Sequence, residues 1–279
     1  MPNCISGSKF YNAARLGRVK VENMVGQAVR ALALIPARAG SKRVAHKNIR
    51  PLQGHPLMAY SICAARLSGV FDAVVLCTDS ELYAEIGRHY GAEVPFLRDV
   101  GISTETSPDI EWVELALSNL SAQGRDFDAF SILRPTSPFR KPETIKRAWR
   151  QFSADPQADS LRAVEKCAQH PGKMWVVRGD RMQPLLPLGP EDQPYHSSQY
   201  AALPAVYVQN ASLEMAWTRV VRDGRTIAGN VLAPFFTQDD EGLDINTAED
   251  WWYAEHALAA GLARLPQVDK PAFDLPKLD

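Results

Sequence analysis

The sequence predicts an α/β fold: a doubly wound, mostly parallel sheet with a small β-rich lobe set into its second half. Three observations carry this. Strand-length apolar runs alternate with helical patterns from residue 31 to residue 152. The runs are apolar throughout, as strands buried on both faces are, instead of alternating apolar and polar positions. Near residue 154 the pattern changes, and short strand-like segments follow one another without long helices between them.

Residues 1–29 are mixed in character and read as an N-terminal extension, with a short helix over 21–28. The run Ala31-Leu-Ala-Leu-Ile-Pro36 is the first buried strand. A basic, glycine-bearing loop follows over 37–56, then a helix over 57–67. Next come a strand over 73–77, a helix over 81–90 and a short strand over 93–96. A helix over 109–120 places Ile110, Val113, Leu117 and Leu120 near one face. A strand over 128–133 and a helix over 142–152 complete the alternation, which is that of a parallel sheet with crossover helices. Such sheets bind ligands beyond the carboxyl ends of their strands, where the strand order reverses. The loops after Pro36, Cys77 and Leu133 are therefore where a site is expected.

Beyond that point, strands are expected over 160–164, 174–177, 205–208 and 227–232. A loop over 184–204 carries five prolines. The last helix runs over 247–260 with Asn246 as its N-cap, and the proline-bearing tail over 266–279 reads as extended or frayed. The main domain is thus 30–265, with 154–230 as an inserted region.

The chain has 279 residues, with 31 basic against 32 acidic residues and a formal net charge of -1. That balance supplies no global field for nucleic acid or a membrane surface, so any anion site has to be a local cluster. Cys4, Cys63, Cys77 and Cys167 form no CxxC pair, which speaks against a zinc site or a disulfide framework. Reduced thiols, strand-length apolar runs and an N-terminus without a signal-peptide core predict a cytoplasmic protein.

Four motifs carry chemistry. The first, Ile35-Pro-Ala-Arg38-Ala-Gly40-Ser41-Lys42-Arg43-Val-Ala-His46-Lys47-Asn48, follows the first strand directly. Its glycine lets backbone N–H groups approach a phosphate, and Arg38, Lys42, Arg43 and Lys47 supply neutralising charge. Its spacing is that of neither a Walker A loop nor a dinucleotide fingerprint. A charge run is usually a solvated face, but position at a strand's carboxyl end favours a phosphate grip. The second, Cys77-Thr78-Asp79-Ser80, reads equally well as a helix cap by Asp79 or Ser80 and as a ligand contact. The third, Leu133-Arg134-Pro-Thr-Ser-Pro-Phe-Arg140, is a turn made rigid by two prolines, with Arg134 placed to enter the cleft. In the fourth, Gly242-Leu-Asp244-Ile-Asn246-Thr247, oxygen-bearing residues suit Mg²⁺, a hard cation, as well as helix capping.

Together these motifs resemble the acylneuraminate cytidylyltransferase family, the CMP-sialic acid synthetases and their pseudaminic and legionaminic relatives. The resemblance spans about residues 31–260. It implies a Rossmann-like nucleotidyltransferase fold and transfer of CMP from CTP to the hydroxyl of an acidic sugar, with release of pyrophosphate. It also implies Mg²⁺ as cofactor and a homodimer whose interface and part of whose acceptor pocket lie in 154–230. By similarity Ala37, Arg38, Ala39, Gly40, Ser41, Lys42, Lys47, Asn48, Arg98 and Ser107 would bind the nucleotide. Arg38, Lys47 and Asp244 would act in catalysis, with Asp244 and Asn246 at the metal. Arg134, Thr136, Ser137 and Lys173, the last in a His170-Pro-Gly-Lys173 stretch, would face the acceptor.

Several positions depart from the family pattern. Arg134 replaces a usual glutamine, Asn246 the second metal aspartate, and Ala45 a common proline. The usual Asn-Gly-Ala-Ile-Tyr strand is Asn210-Ala-Ser-Leu-Glu214. Arg134 keeps open an acceptor that is a phosphonate or other small acid, and Asn246 a nucleotide-binding regulator without catalysis. The absent dinucleotide fingerprint argues against an NAD-linked oxidoreductase.

Overall fold

The apolar run of the first motif forms β1 (Ala31–Pro36), buried from Ala31 to Ile35. Successive side chains of a strand point to opposite faces, and β1 uses both. Ala31, Ala33 and Ile35 pack with Met58, Ile62, Ile145 and Trp149, while Leu32 and Leu34 pack with Trp112, Val113 and Val220. This two-sided burial is why the strand carries no polar residue. The structure is a computed structural model that describes residues 28–40, 43–99 and 107–276. All but Ala28 of the expected helix over 21–28 lies outside these residues, as do Ser41 and Lys42.

A tight hairpin of β2 (Pro51–Leu52) and β3 (His55–Pro56) follows, then α1 (Leu57–Ser68), β4 (Ala73–Cys77) and α2 (Glu81–His89). Next are α3 (Asp109–Ala122), β5 (Ala129–Ile132), α4 (Pro142–Ala154) and β6 (Ser160–Lys166). The second half adds β7 (Trp175–Arg178), β8 (Arg181–Pro184), β9 (Tyr207–Trp217), α5 (Arg219–Gly224), β10 (Leu232–Phe236) and α6 (Ala248–Ala259). Gln53 and Gly54 both take positive φ between β2 and β3, which suits a two-residue hairpin turn.

The six-stranded sheet has the order β10-β6-β9-β5-β1-β4. β1 runs parallel to β4 on one side and to β5 on the other. The chain thus steps outward to β4 and returns across β1 to β5, and the crevice expected at such a reversal opens above the ends of β1 and β5. Residues of α1, α2 and α4 cover one face, and those of α3 and α5 the other. The doubly wound, mostly parallel expectation holds, with β9 antiparallel to both β5 and β6. No helix among the described residues is long and apolar enough to cross a membrane.

The structure corrects several expectations. Residues 93–96 make a single bridge, Glu93 to Val75, because Pro95 has no N–H for a ladder. The strand expected over 205–208 is the start of the eleven-residue β9. The strand expected over 227–232 begins at Leu232, since Asp159 Oδ2 accepts from the backbone N–H groups of Asn230 and Val231 and turns the chain there. The region 154–230 is not a separate insertion: β6 and β9 belong to the central sheet, and a β7–β8 hairpin stands apart from it. Thr247, not Asn246, caps α6: its hydroxyl accepts from Asp250 N, while Asp250 Oδ2 accepts from the N–H groups of both Asn246 and Thr247. The tail is extended but tied down. Arg66 pairs with Asp269 at 2.9 Å, His89 Nε2 bonds to Pro271 O, and Phe273 N donates to Tyr90 Oη.

Candidate active site

The basic loop leaves β1 with its first residues held by the neighbouring strand and by the loop after it. Ala37 N donates to Cys77 O at 3.0 Å, and Ala39 N donates to Asp79 Oδ1 at 2.8 Å. The Asp79 carboxylate therefore anchors the loop, whereas Ser80 caps α2 by accepting from Tyr83 N. Past the described gap, residues 43–50 turn tightly. His46 takes a φ of 50°, and the N–H groups of Ile49 and Arg50 both donate to its carbonyl. Asn48, 6 % exposed, closes the loop by donating from Nδ2 to Arg38 O at 3.0 Å. Val44 packs with Ile245, Phe139 and Trp251, which joins the loop to the start of α6.

A cleft of about 220 Å³ opens at the ends of β1 and β5. Arg38, Lys47, Asn48, Arg98, Ser107, Arg134 and Thr136, all expected site residues, line it together with Pro36, Asp109, Trp112 and Pro135. The Arg98 guanidinium lies over the Trp112 ring, 5.5 Å from its centroid, and burial pulls its pKa below the ordinary arginine value. Arg38, Lys47 and Arg98 thus bring positive charge to one small volume, beside Arg134, whose charge Asp109 and Glu214 balance.

Lys47 is the hinge between this cleft and the fourth motif. Its Nζ donates to Ile245 O at 2.9 Å and Asn246 Oδ1 at 3.2 Å. Burial lowers its pKa, and this outweighs the opposing pull of Asp244 and Asp250. Ile245 N donates to Thr136 O at 2.8 Å, so the third motif's turn also holds this segment. The Asn246 amide bonds Asp244 Oδ2, while Asp244 Oδ1 is buried and without a hydrogen-bond partner among the described residues.

Some expected residues take other parts. Arg140, at the far end of the proline turn, is 1 % exposed and ties Ser212 O, Ser61 Oγ and Arg134 O together. No carboxylate among the described residues meets it, and burial brings its pKa down to about 9. Ser137 is buried with its hydroxyl unbonded, and Gly40 is exposed at the edge of the described loop. Lys173 does not line the cleft either; its Nζ donates to Ser198 O at 2.7 Å and His196 O at 3.4 Å. His170 caps the Pro171–Lys173 turn that follows it by accepting from Gly172 N at Nδ1, and its Nε2 reaches Pro204 O. Asn246 Oδ1 accepts from Lys47 Nζ at 3.2 Å. Asp109, Trp112 and Glu214 were missed. For Glu214 two signals were available: its departure from the family's strand pattern, and its standing as the lone charge in the run Ala211-Ser-Leu-Glu-Met-Ala216.

The cytidylyltransferase family profile matches residues 32–173, which include the first three motifs and every residue lining the cleft. The chain belongs to the cytidylyltransferase family. This cytidylyltransferase is 34% identical over 230 residues to the CMP-N,N'-diacetyllegionaminic acid synthase of Legionella pneumophila, covering 81% of this chain and 95% of the relative. It is 40% identical over 121 residues to the pseudaminic acid cytidylyltransferase of Campylobacter jejuni, covering 43% of this chain and 52% of that one. Among solved structures, a CMP:2-keto-3-deoxy-manno-octonic acid synthetase complexed with CTP shares the fold, with a TM-score of 0.59 at 13% identity, over 83% of this chain and 99% of the other. The enzyme is accordingly a nucleotidyltransferase, and the cation-lined crevice is its candidate active site.

Proposed function

We propose that this enzyme transfers CMP from CTP to the hydroxyl of an acidic, sialic acid-like sugar and releases pyrophosphate. The observation that carries the reading is the convergence of Arg38, Lys47, Arg98 and Arg134 at the ends of β1 and β5. Relatives named for legionaminic, pseudaminic and N-acylneuraminic acids support the acceptor class.

In the reaction the acceptor's hydroxyl oxygen bonds to the α-phosphorus of CTP as the bond to the bridging oxygen breaks. Negative charge grows on the phosphoryl oxygens and on departing pyrophosphate, so positioning and charge stabilisation do most of the catalysis. Arg38 and Lys47 stabilise the phosphates; Ala37, Ala39, Gly40, Ser41, Lys42, Asn48, Arg98 and Ser107 shape the nucleotide's seat. In this assignment Ala37, Ala39 and Asn48 act by holding the loop, since their N–H groups already bond Cys77, Asp79 and Arg38.

Asp244 fits a role toward Mg²⁺. Its Oδ1 is buried without a donor among the described residues, and Mg²⁺ commonly takes one or two carboxylates and draws its other oxygens from phosphates and water. When bound, the ion would supply Lewis-acid charge at the phosphates. The same arrangement reserves Asn246 for orienting Asp244 and Lys47. Arg134 and Thr136 face the acceptor's acid group from the cleft wall.

A homodimer is proposed as the working form, supported by exposed Val177, Met182, Leu185 and Leu186 on and after the β7–β8 hairpin. The unpaired Cys63, Cys77 and Cys167 support a reducing, cytoplasmic setting.

The test is pyrophosphate release with CTP and Mg²⁺ against nine-carbon sugar acids and small phosphonates. Turnover with the sugar acids supports the reading. Turnover with phosphonates alone moves the acceptor to the class that Arg134, in glutamine's place, keeps open. Background rates with every acid would refute CMP transfer to an acid.

A further inference from the structure

Two departures from the family pattern, Arg134 and Glu214, lie far apart in sequence and meet in space. Arg134 Nη2 donates to Glu214 Oε1 at 2.9 Å and to Asp109 Oδ2 at 2.5 Å. The other oxygen of Glu214, Oε2, pairs with Arg162 Nη1. The register of the sheet makes this meeting unavoidable. Glu214 sits on β9 directly opposite Ile132 of β5 and Arg162 of β6, and Arg134 leaves β5 two residues after Ile132.

The four groups form an alternating chain, Asp109–Arg134–Glu214–Arg162, that runs from the cleft wall into the sheet. Side-chain exposure falls along it, from 30% at Asp109 and 27% at Arg134 to 6% at Glu214 and 8% at Arg162. The sum of charge is zero, so Arg134 offers an acid not a bare positive field but directed donors. Its Nη2 is committed; its Nε and Nη1 make no hydrogen bond among the described residues. Burial brings the Arg162 pKa down to about 10, which is the cost of placing a cation behind Glu214.

We propose that Glu214 is a positioning residue for acceptor selectivity: from the buried side it holds Nη2 of the Arg134 guanidinium so that Nη1 is left to meet the acceptor's carboxylate. This rests on Arg134 facing the acceptor, as proposed above. Arg162 acts one step further back by holding Glu214. Asp109 limits how far the guanidinium can swing toward the nucleotide side, where Arg98 and Trp112 stand. A guanidinium on a four-bond stem has large rotamer freedom, and pinning it removes that entropy before the acceptor arrives.

The experiment is steady-state kinetics on the wild type, Glu214→Gln, Arg134→Gln, the double variant and Glu214→Asp, with CTP and a sugar acid that the wild type turns over. Glu214→Gln is expected to raise the acceptor KM about tenfold while the CTP KM stays within about twofold. The double variant should be no worse than Arg134→Gln alone, because a residue that acts through another adds nothing once that other is gone. Glu214→Asp should recover part of the loss. Should Glu214→Gln fail to fold, Arg162→Met combined with it removes the stranded buried cation and is read in the same way. An unchanged acceptor KM, additive losses, or equal rises in both KM values overturn the positioning role. A wild type that turns over no sugar acid defeats instead the reading on which it rests, and the two failures are told apart by the wild-type control.

Discussion

Among single residues Lys47 has the most to say about pH. It sits between the phosphate cleft and the Asp244 segment, and burial holds its pKa below the ordinary lysine value of 10.5. The charged form is the one that meets a triphosphate. Because the folded pKa is lowered, the proton is lost at a lower pH than in a free lysine. Burying the charged form costs stability at lower pH, and that cost fades as pH rises from the folded pKa toward 10.5. The prediction is an early alkaline fall in kcat/KM for CTP, the quantity that reports free-enzyme groups. Lys47→Arg, which keeps its charge, should move that fall to higher pH even if its absolute rate is lower. Superimposable profiles for the two proteins would remove Lys47 from the phosphate grip. Arg38 and Arg134 were expected in the cleft because charge placed straight after an apolar strand has few other places to go, Lys47 because it shares the basic run of Arg38, and Arg98 only by resemblance to the family; all four line the cleft. Asp109 and Trp112 were not expected there, since their part depends on α3 folding back against β5. Lys173 lies outside the cleft lining, since a short matching motif says nothing of where its loop lies.

At the scale of elements, burial on both faces made β1, β4 and β5 readable, with their helices, to within a few residues. β9 was not readable over most of its length. Its Gln209, Asn210, Ser212 and Glu214 break the apolar pattern; Gln209 is exposed, and Asn210 and Glu214 take polar partners from neighbouring elements. Asn210 joins Glu165 to Thr237, for instance, and Ser131 Oγ donates to the Glu214 carbonyl. The C-terminal tail shows the opposite error, for its prolines suggested fraying. Three contacts hold it, and Val268, Phe273 and Leu275 pack against the core beside α1 and α2. Partial burial of those side chains is worth about 2 kcal/mol together. Ending the chain at Leu265 should therefore lower Tm by roughly 4–8 °C for a protein of this size. KM for CTP should barely move, because the tail touches none of the residues lining the cleft. A truncated protein that melts with the wild type would show the tail to be a passenger.

For the whole molecule the informative contrast lies between a net charge of -1 and a cleft lined by four cations. The field that draws a nucleotide is local, and nothing in the global balance foretold it. A similar contrast holds for apolar surface. The core is closed by helices on both faces of the sheet, yet the β7–β8 hairpin pairs only with itself and leaves Val177 69% and Met182 58% exposed. A two-stranded hairpin is marginal in water unless something packs on it. Leu185, Leu186 and Leu188, also exposed, extend the apolar strip into the following loop. A strip of that kind on an element outside the main core is what a partner copy would cover. Sedimentation at micromolar protein should then give about twice the chain mass of 30.9 kDa. Val177→Glu with Met182→Glu should halve the sedimenting mass, because two carboxylates cannot be buried without partners at a self-complementary interface. The far-ultraviolet circular dichroism should stay unchanged, since the hairpin lies outside the six-stranded sheet. A wild type that sediments as a single chain across the same concentrations would leave the strip without the partner assigned to it.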